Sequence, residues 1–269
     1  MSQGLFLIWF PLTALSLAFV ALDIPRTPEA TVLKWAFVIL TAFTGPFGAF
    51  FYVLGCREPL RGTHAEYVSA PWRQVLGSTM HCAAGDGIGI NAGAVIAAIV
   101  ELGGLADLAL EYVLGFGFGW VFFQAFAMRD MYGGSFSRSL RETFVPELLS
   151  MNLLMAGMVV TMRILMPLVD GASEPWRPGF WFVMSMAMIV GFAAAYPVNW
   201  WLVTRGLKHG MLTVLDEERH AGHGAQSGHA APTAHGDHGD TAAHARPARR
   251  TILAAIAASF LPLLAVIAL

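Results

Sequence analysis

The chain has 269 residues, 56% of them hydrophobic and only 13% charged, with a mean hydropathy of +0.60. That composition excludes an ordinary soluble domain and is that of a polytopic membrane protein. A formal net charge of −2 gives no basis for a nucleic-acid partner, and no period-two apolar alternation supports a β-barrel.

A bilayer core of about 30 Å takes roughly 20 apolar helical residues. Seven apolar segments qualify, so the predicted fold is all-α with about seven transmembrane helices: 4–22, 32–55, 79–101, 104–128, 144–167, 179–204 and 251–269. The first has no positive n-region and continues to Leu22 through Pro11, which reads as a retained helix and not as a signal peptide. The chain divides into two N-terminal helices (1–56), an interfacial segment broken by Pro59 and Pro71 (57–78), a four-helix core (79–211), a linker (212–250) and a last helix (251–269). Two cysteines, Cys56 and Cys82, cannot build a disulfide framework.

With seven crossings, the second, fourth and sixth connections share a side and hold twelve of the sixteen basic residues, against Arg26, Lys34 and Arg177 opposite. The positive-inside rule then predicts the N-terminus inside and the C-terminus outside, in the bacterial inner (cytoplasmic) membrane.

The 212–250 connection is, from Leu215 on, rich in Gly, Ala and His and almost empty of large apolar residues, so it is predicted disordered. His220 with His223, and His235 with His238, place two imidazoles three residues apart, suited to Zn(II), Ni(II) or Cu(II). A low-complexity linker explains the same composition.

Depth along the helices sorts the intramembrane polar residues into two layers. The inner layer holds His81, Cys82 and Asp86, with Glu147, Asn152, Tyr196 and Asn199 at the same level; the outer layer holds Glu101, Asp107, Glu111 and Arg163. Ionisable groups at such depth face a partner or a cavity. Arg163 is expected to pair with Glu111 or Asp107. Imidazole, thiol and carboxylate within little more than one turn are metal-ligand types, but His81 lies about 100° round the helix from Cys82, so other helices must complete any site. Gly85, Gly89 and Gly93 recur on the face of Cys82 and Asp86, a spacing that admits a close neighbouring helix.

The fifth segment carries a methionine stripe, Met151, Met155, Met158, Met162 and Met166. Thioethers suit Cu(I), and methionine is equally a core gap-filler. The last helix has no lysine for a retinal Schiff base, and CxxC, HExxH, GxSxG and P-loop motifs are absent from the sequence.

HCAAGDGIGI (81–90) and GFAAAYPVNWWLVTRGLKHGM (191–211), with their multi-helix setting, resemble the bacterial membrane family known as domain of unknown function 4396. The resemblance spans roughly 70–211 and falls on His81, Cys82, Gly85, Asp86, Tyr196, Pro197, Asn199, Trp200 and Trp201. It implies that the two motifs belong to one domain and implies no reaction.

The functional expectation is transition-metal transport or handling, copper first and zinc or nickel next, with Cu(I) or Zn(II) held by His81, Cys82, Asp86 and the methionines. The alternative is a non-catalytic accessory or assembly subunit. Lipid, and a second copy or a larger membrane complex, are the partner classes. An enzyme with Cys82 as nucleophile is a third reading, weakened because adjacent helical residues do not face each other.

Overall fold

The computed structural model describes residues 2–60, 62–212 and 247–268, and among them there is no strand. The elements are α1 (Ser2–Asp23), α2 (Thr31–Thr44), α3 (Pro46–Gly55), α4 (His64–Val68), α5 (Pro71–Ile99), α6 (Leu105–Phe118) continued by a π-helix (Gly119–Phe126), α7 (Phe136–Leu165), α8 (Pro178–Thr204) and α9 (Arg249–Ala268). Proline at the first helical position opens α3, α5 and α8, where its missing N–H costs nothing. Ser135 caps α7 by accepting from the Arg138 amide. His220, His223, His235 and His238, the candidate metal ligands of the 212–250 connection, lie outside the described residues.

Among the described residues, six helices are long and apolar enough to cross a membrane: α1, α5, α6 with its π continuation, α7, α8 and α9. Side chains such as Leu7 (76% exposed) and Ile99 (70%) face outward on these helices, as a lipid environment requires. Two thirds of the apolar window of α5 and of α7 is buried, against 6% of α1 and 11% of α9. α5 and α7 are therefore the centre of the bundle and α1 and α9 its rim.

The second expected span is not a crossing. It breaks at Gly45 (φ +58°), and α3 runs back along α2. A continuous helix would put Tyr52 roughly 30 Å beyond Thr31 at about 1.5 Å per residue. Instead the Tyr52 ring lies 5.7 Å from that of Phe37, and its hydroxyl is 2.8 Å from Thr27 Oγ1 and donates to Asp23 at 2.8 Å. Arg57 also donates to Asp23, at 2.7 Å. α2 and α3 form a re-entrant hairpin whose tip reaches the middle of α1, where a Cβ on Gly45 would collide with Thr13.

This changes the topology. Phe6 and Trp9 of α1 contact Phe182 at the start of α8, α8 runs antiparallel to α7 with Asn199 bonded to Ser150, and Arg163 of α7 reaches Ile267 of α9. The start of α1 and the end of α9 thus lie at one face, not at opposite faces as seven crossings predicted. The C-terminal ends of α1, α3, the π-helix and α8 lie at the other.

A first prediction concerns the hairpin tip. Gly45→Ala forces a left-handed backbone on a side chain and a clash with Thr13, and is expected to lower stability by about 1–3 kcal/mol. Thermal denaturation in detergent, with Gly62→Ala (φ +84°, nothing within 4 Å) as the reference for backbone strain alone, measures it.

Candidate functional site: a buried charge cluster between α5, α6, α7 and α8

The glycine face of α5 meets α6. Cβ atoms at Gly85, Gly89 and Gly93 would collide with Phe123, with the Leu114 and Gly115 backbone, and with the Glu111 backbone. This contact brings Asp86 to Gly119, the first residue of the π-helix. Gly119 also meets α7: a Cβ there would collide with Asp86 Oδ1 and lie 2.7 Å from Glu147 Oε1. The two carboxyl groups converge on one glycine, both 0% exposed. None of their four oxygens has a hydrogen-bond partner among the described residues.

A polar chain runs beside them. Gln124, also on the π-helix, donates to Cys82 Sγ at 2.7 Å and lies 3.4 Å from His81 Nδ1. Lys208 donates to Cys82 Sγ at 2.7 Å and to Asn199 Oδ1 at 2.7 Å. Asn199 in turn donates to Ser150 Oγ (2.9 Å) and to the Ala195 carbonyl (3.1 Å). The wide turns of a π-helix recur at functional sites, and here they aim both Gly119 and Gln124 at α5.

Lys208 lies just beyond the end of α8. Burial pulls its ammonium toward the neutral form, but Cys82, Glu147 and Asp86 outweigh that and hold its pKa above the ordinary lysine value. Among the described residues the cluster contains one cationic side chain, Lys208, beside the Cys82 thiol and two carboxyl groups.

Residues 71–208 match a family model that covers half of the chain, from the first residue of α5 to Lys208. The chain belongs to the family described as Domain of unknown function (DUF4396). No curated protein and no solved structure matches it. The DUF4396 segment contains every member of the cluster, and its two motifs meet in space. In the second motif Tyr196 donates to the Trp72 carbonyl at 3.1 Å, tying α8 to the start of α5, Asn199 orients Lys208, and Pro197 lies inside α8 without ending it. Both cysteines are free and buried.

The expected metal triad does not assemble. Among the described residues no three His, Cys, Asp or Glu side chains group as metal ligands. Asp86 turns to Glu147, Cys82 to Lys208, and His81 to Gln124 and the Phe123 ring at 5.4 Å. Met151, Met155 and Met158 are 0% exposed within the apolar core, Met151 against Gly115 and Met158 against Gly191, so this part of the stripe is packing. Arg163 shares a cavity wall with Asp107 and Glu111 but forms no ion pair with either among the described residues; its guanidinium donates to the Ile267 carbonyl at 3.0 Å.

Sequence reasoning placed Glu147 at the right depth but missed its pairing, and it missed Gln124 and Lys208. The available signal for Lys208 was scarcity: Lys34 and Lys208 are the only lysines among sixteen basic residues.

Proposed function

We propose that the chain is a proton-handling membrane transport protein whose central step is proton binding at the Asp86–Glu147 pair. The observation that carries this is the charge count of a sealed cluster. Lys208 balances one carboxylate, and the second has no cation and no donor among the described residues, so a shared proton satisfies the pair. Two carboxyl groups this close do not both ionise without compensation. Release of that proton leaves a buried, unbalanced carboxylate, which costs several kcal/mol, so release is coupled to entry of another cation or to movement of Lys208 on its short tether past α8.

The basic face supports an orientation for this reading. Arg57, Arg73, Arg129, Arg138, Arg205 and Arg249 flank the face of Lys208, whereas Arg163 and Arg177 flank the other. The positive-inside rule then sets the Lys208 face in the cytoplasm and the described ends of α1 and α9 outside, in a bacterial cytoplasmic membrane. A transition metal, Cu(I) before Zn(II) or nickel, is cargo in this reading and not a ligand of Cys82, because the Lys208 ammonium already contacts that sulfur.

The test is proton flux in pyranine-loaded vesicles under a valinomycin potassium potential. Wild type is expected to conduct protons when cargo cation is present, and Asp86→Asn or Glu147→Gln to reduce the flux about tenfold or more, the scale of a lost proton-transfer group. Equal flux in both variants refutes the proposal. No flux in wild type, with the variants co-purifying unchanged with a second membrane protein, identifies the accessory-subunit alternative.

A further inference from the structure

The face opposite Lys208 carries a cavity of 470 Å³ between α6, α7 and α9. Asp107 and Glu111, one turn apart on α6, line one side of it, and Met162 and Met166, four residues apart at the end of α7, line the other. Glu111 is 5% exposed and Met162 8%. Glu111 Oε2 and Asp107 Oδ1 have no hydrogen-bond partner among the described residues. Arg163 completes the wall, held by its bond to the Ile267 carbonyl. Met151 and Met158 are sealed in the core and Met155 lines a separate apolar cavity between α6, α7 and α9, whereas Met162 and Met166 line the cavity that holds the two carboxyl groups.

We propose that this cavity binds one soft monovalent cation, Cu(I) in chemical type, between the carboxylates of Asp107 and Glu111 and the thioethers of Met162 and Met166. Two arguments select that class. Thioether sulfur is a poor ligand for hard ions such as Mg²⁺ or Ca²⁺, which take oxygen alone, and a good one for Cu(I). Two neighbouring carboxyl groups beside one guanidinium are balanced when they share a proton, and exchange of that proton for one monovalent cation keeps the balance.

Polar side chains lie between this cavity and the charge cluster. Tyr112, next to Glu111, donates to Asn152 Oδ1 at 2.6 Å, and Asn152 donates to Ser259 Oγ at 2.8 Å. Asn152 lies five residues, roughly 7.5 Å of helix, beyond Glu147. The inference names a cargo class for the proton-handling protein and rests on that reading only for the cation's movement, not for its binding.

Silver(I), which is redox-inert here and shares the ligand preference of Cu(I), is the probe. The full-length protein in detergent is oxidised with hydrogen peroxide at increasing silver nitrate, and sulfoxide is quantified at each methionine by peptide mass spectrometry. Silver is expected to protect Met162 and Met166 and to leave the core methionines unchanged; histidines elsewhere in the chain that bind silver do not shield these two sulfurs. Glu111→Gln is expected to raise the silver concentration needed for protection about tenfold or more, the scale of a weakened metal shell. Should that variant unfold, Met162→Leu with Met166→Leu replaces it, read by equilibrium dialysis as the loss of one bound silver per chain. Absence of protection, equal protection by Mn²⁺, or equal protection in Glu111→Gln overturns the site. Protection by silver without silver-dependent proton flux in vesicles leaves the site standing and overturns the transport reading; proton flux without protection does the reverse.

Discussion

Lys208→Met is expected to lower the stability of the detergent-solubilised protein by about 3–5 kcal/mol, the cost of removing one partner from a buried set of charges. The side chain is 9% exposed and supplies the cluster's fixed positive charge. Its loss leaves Asp86 and Glu147 needing two protons, and strips Cys82 Sγ and Asn199 Oδ1 of a donor each. A second replacement separates charge from packing. Asp86→Asn in the Lys208→Met background is expected to recover part of the loss, with a coupling of about 1–3 kcal/mol in the double-mutant cycle. Lys34 donates to the Pro25 carbonyl in an exposed setting, and Lys34→Met is expected to shift stability by no more than about 0.5 kcal/mol. Thermal midpoints of wild type, Lys208→Met, Asp86→Asn, the double variant and Lys34→Met decide it. Equal shifts for the two lysines, or additivity of Lys208→Met and Asp86→Asn, would show that no charge coupling exists.

The all-α membrane architecture was legible because a 20-residue apolar run has one stable form in lipid, a helix that satisfies its own backbone. The same logic misread 32–55. Hydropathy measures composition and is blind to direction, so a hairpin of two half-length helices scores like one span. The local sign was Gly45–Pro46, a turn dipeptide, and that single reversal moves the start of α1 to the other face. The glycine face of α5 was legible because a four-residue repeat of glycine has few other uses in a helix. The site was only half legible. Depth put Arg163, Asp107 and Glu111 in one layer, but a shared layer is not a contact, and the guanidinium found a carbonyl on α9. Periodicity likewise joined five methionines into one stripe without showing that Met151 and Met158 are sealed in the core while Met162 and Met166 line a cavity with Asp107 and Glu111. Lys208 read as one more basic loop residue, since nothing local indicates that the chain past α8 folds back over Cys82.

Gly89→Val is expected to do more damage than any other single glycine replacement along the face of α5. At Gly85 the nearest atoms to an added Cβ belong to the Phe123 side chain, which can rotate away in part. At Gly89 all three are backbone: the Leu114 carbonyl oxygen, with the Leu114 carbonyl carbon and Gly115 Cα both at 2.6 Å. Main chain held in a helix has no rotamer to give, so α5 and α6 must separate. Overpacking of this kind costs about 1–3 kcal/mol in a core, and a β-branched side chain against two backbones belongs at the upper end. The displacement has a chemical consequence, because the α5–α6 contact is what sets Gly119 against Asp86 and Gln124 against Cys82. Cys82 is 1% exposed and is therefore expected to resist maleimide in wild type and to react in Gly89→Val under native conditions. Gly117→Ala, on α6 but with nothing within 4 Å of an added Cβ, is expected to leave both the melting point and the thiol unchanged. If Gly89→Val melts like wild type and keeps Cys82 protected, α5 and α6 are not in backbone contact, and the convergence of Asp86 and Glu147 on Gly119 loses its structural basis.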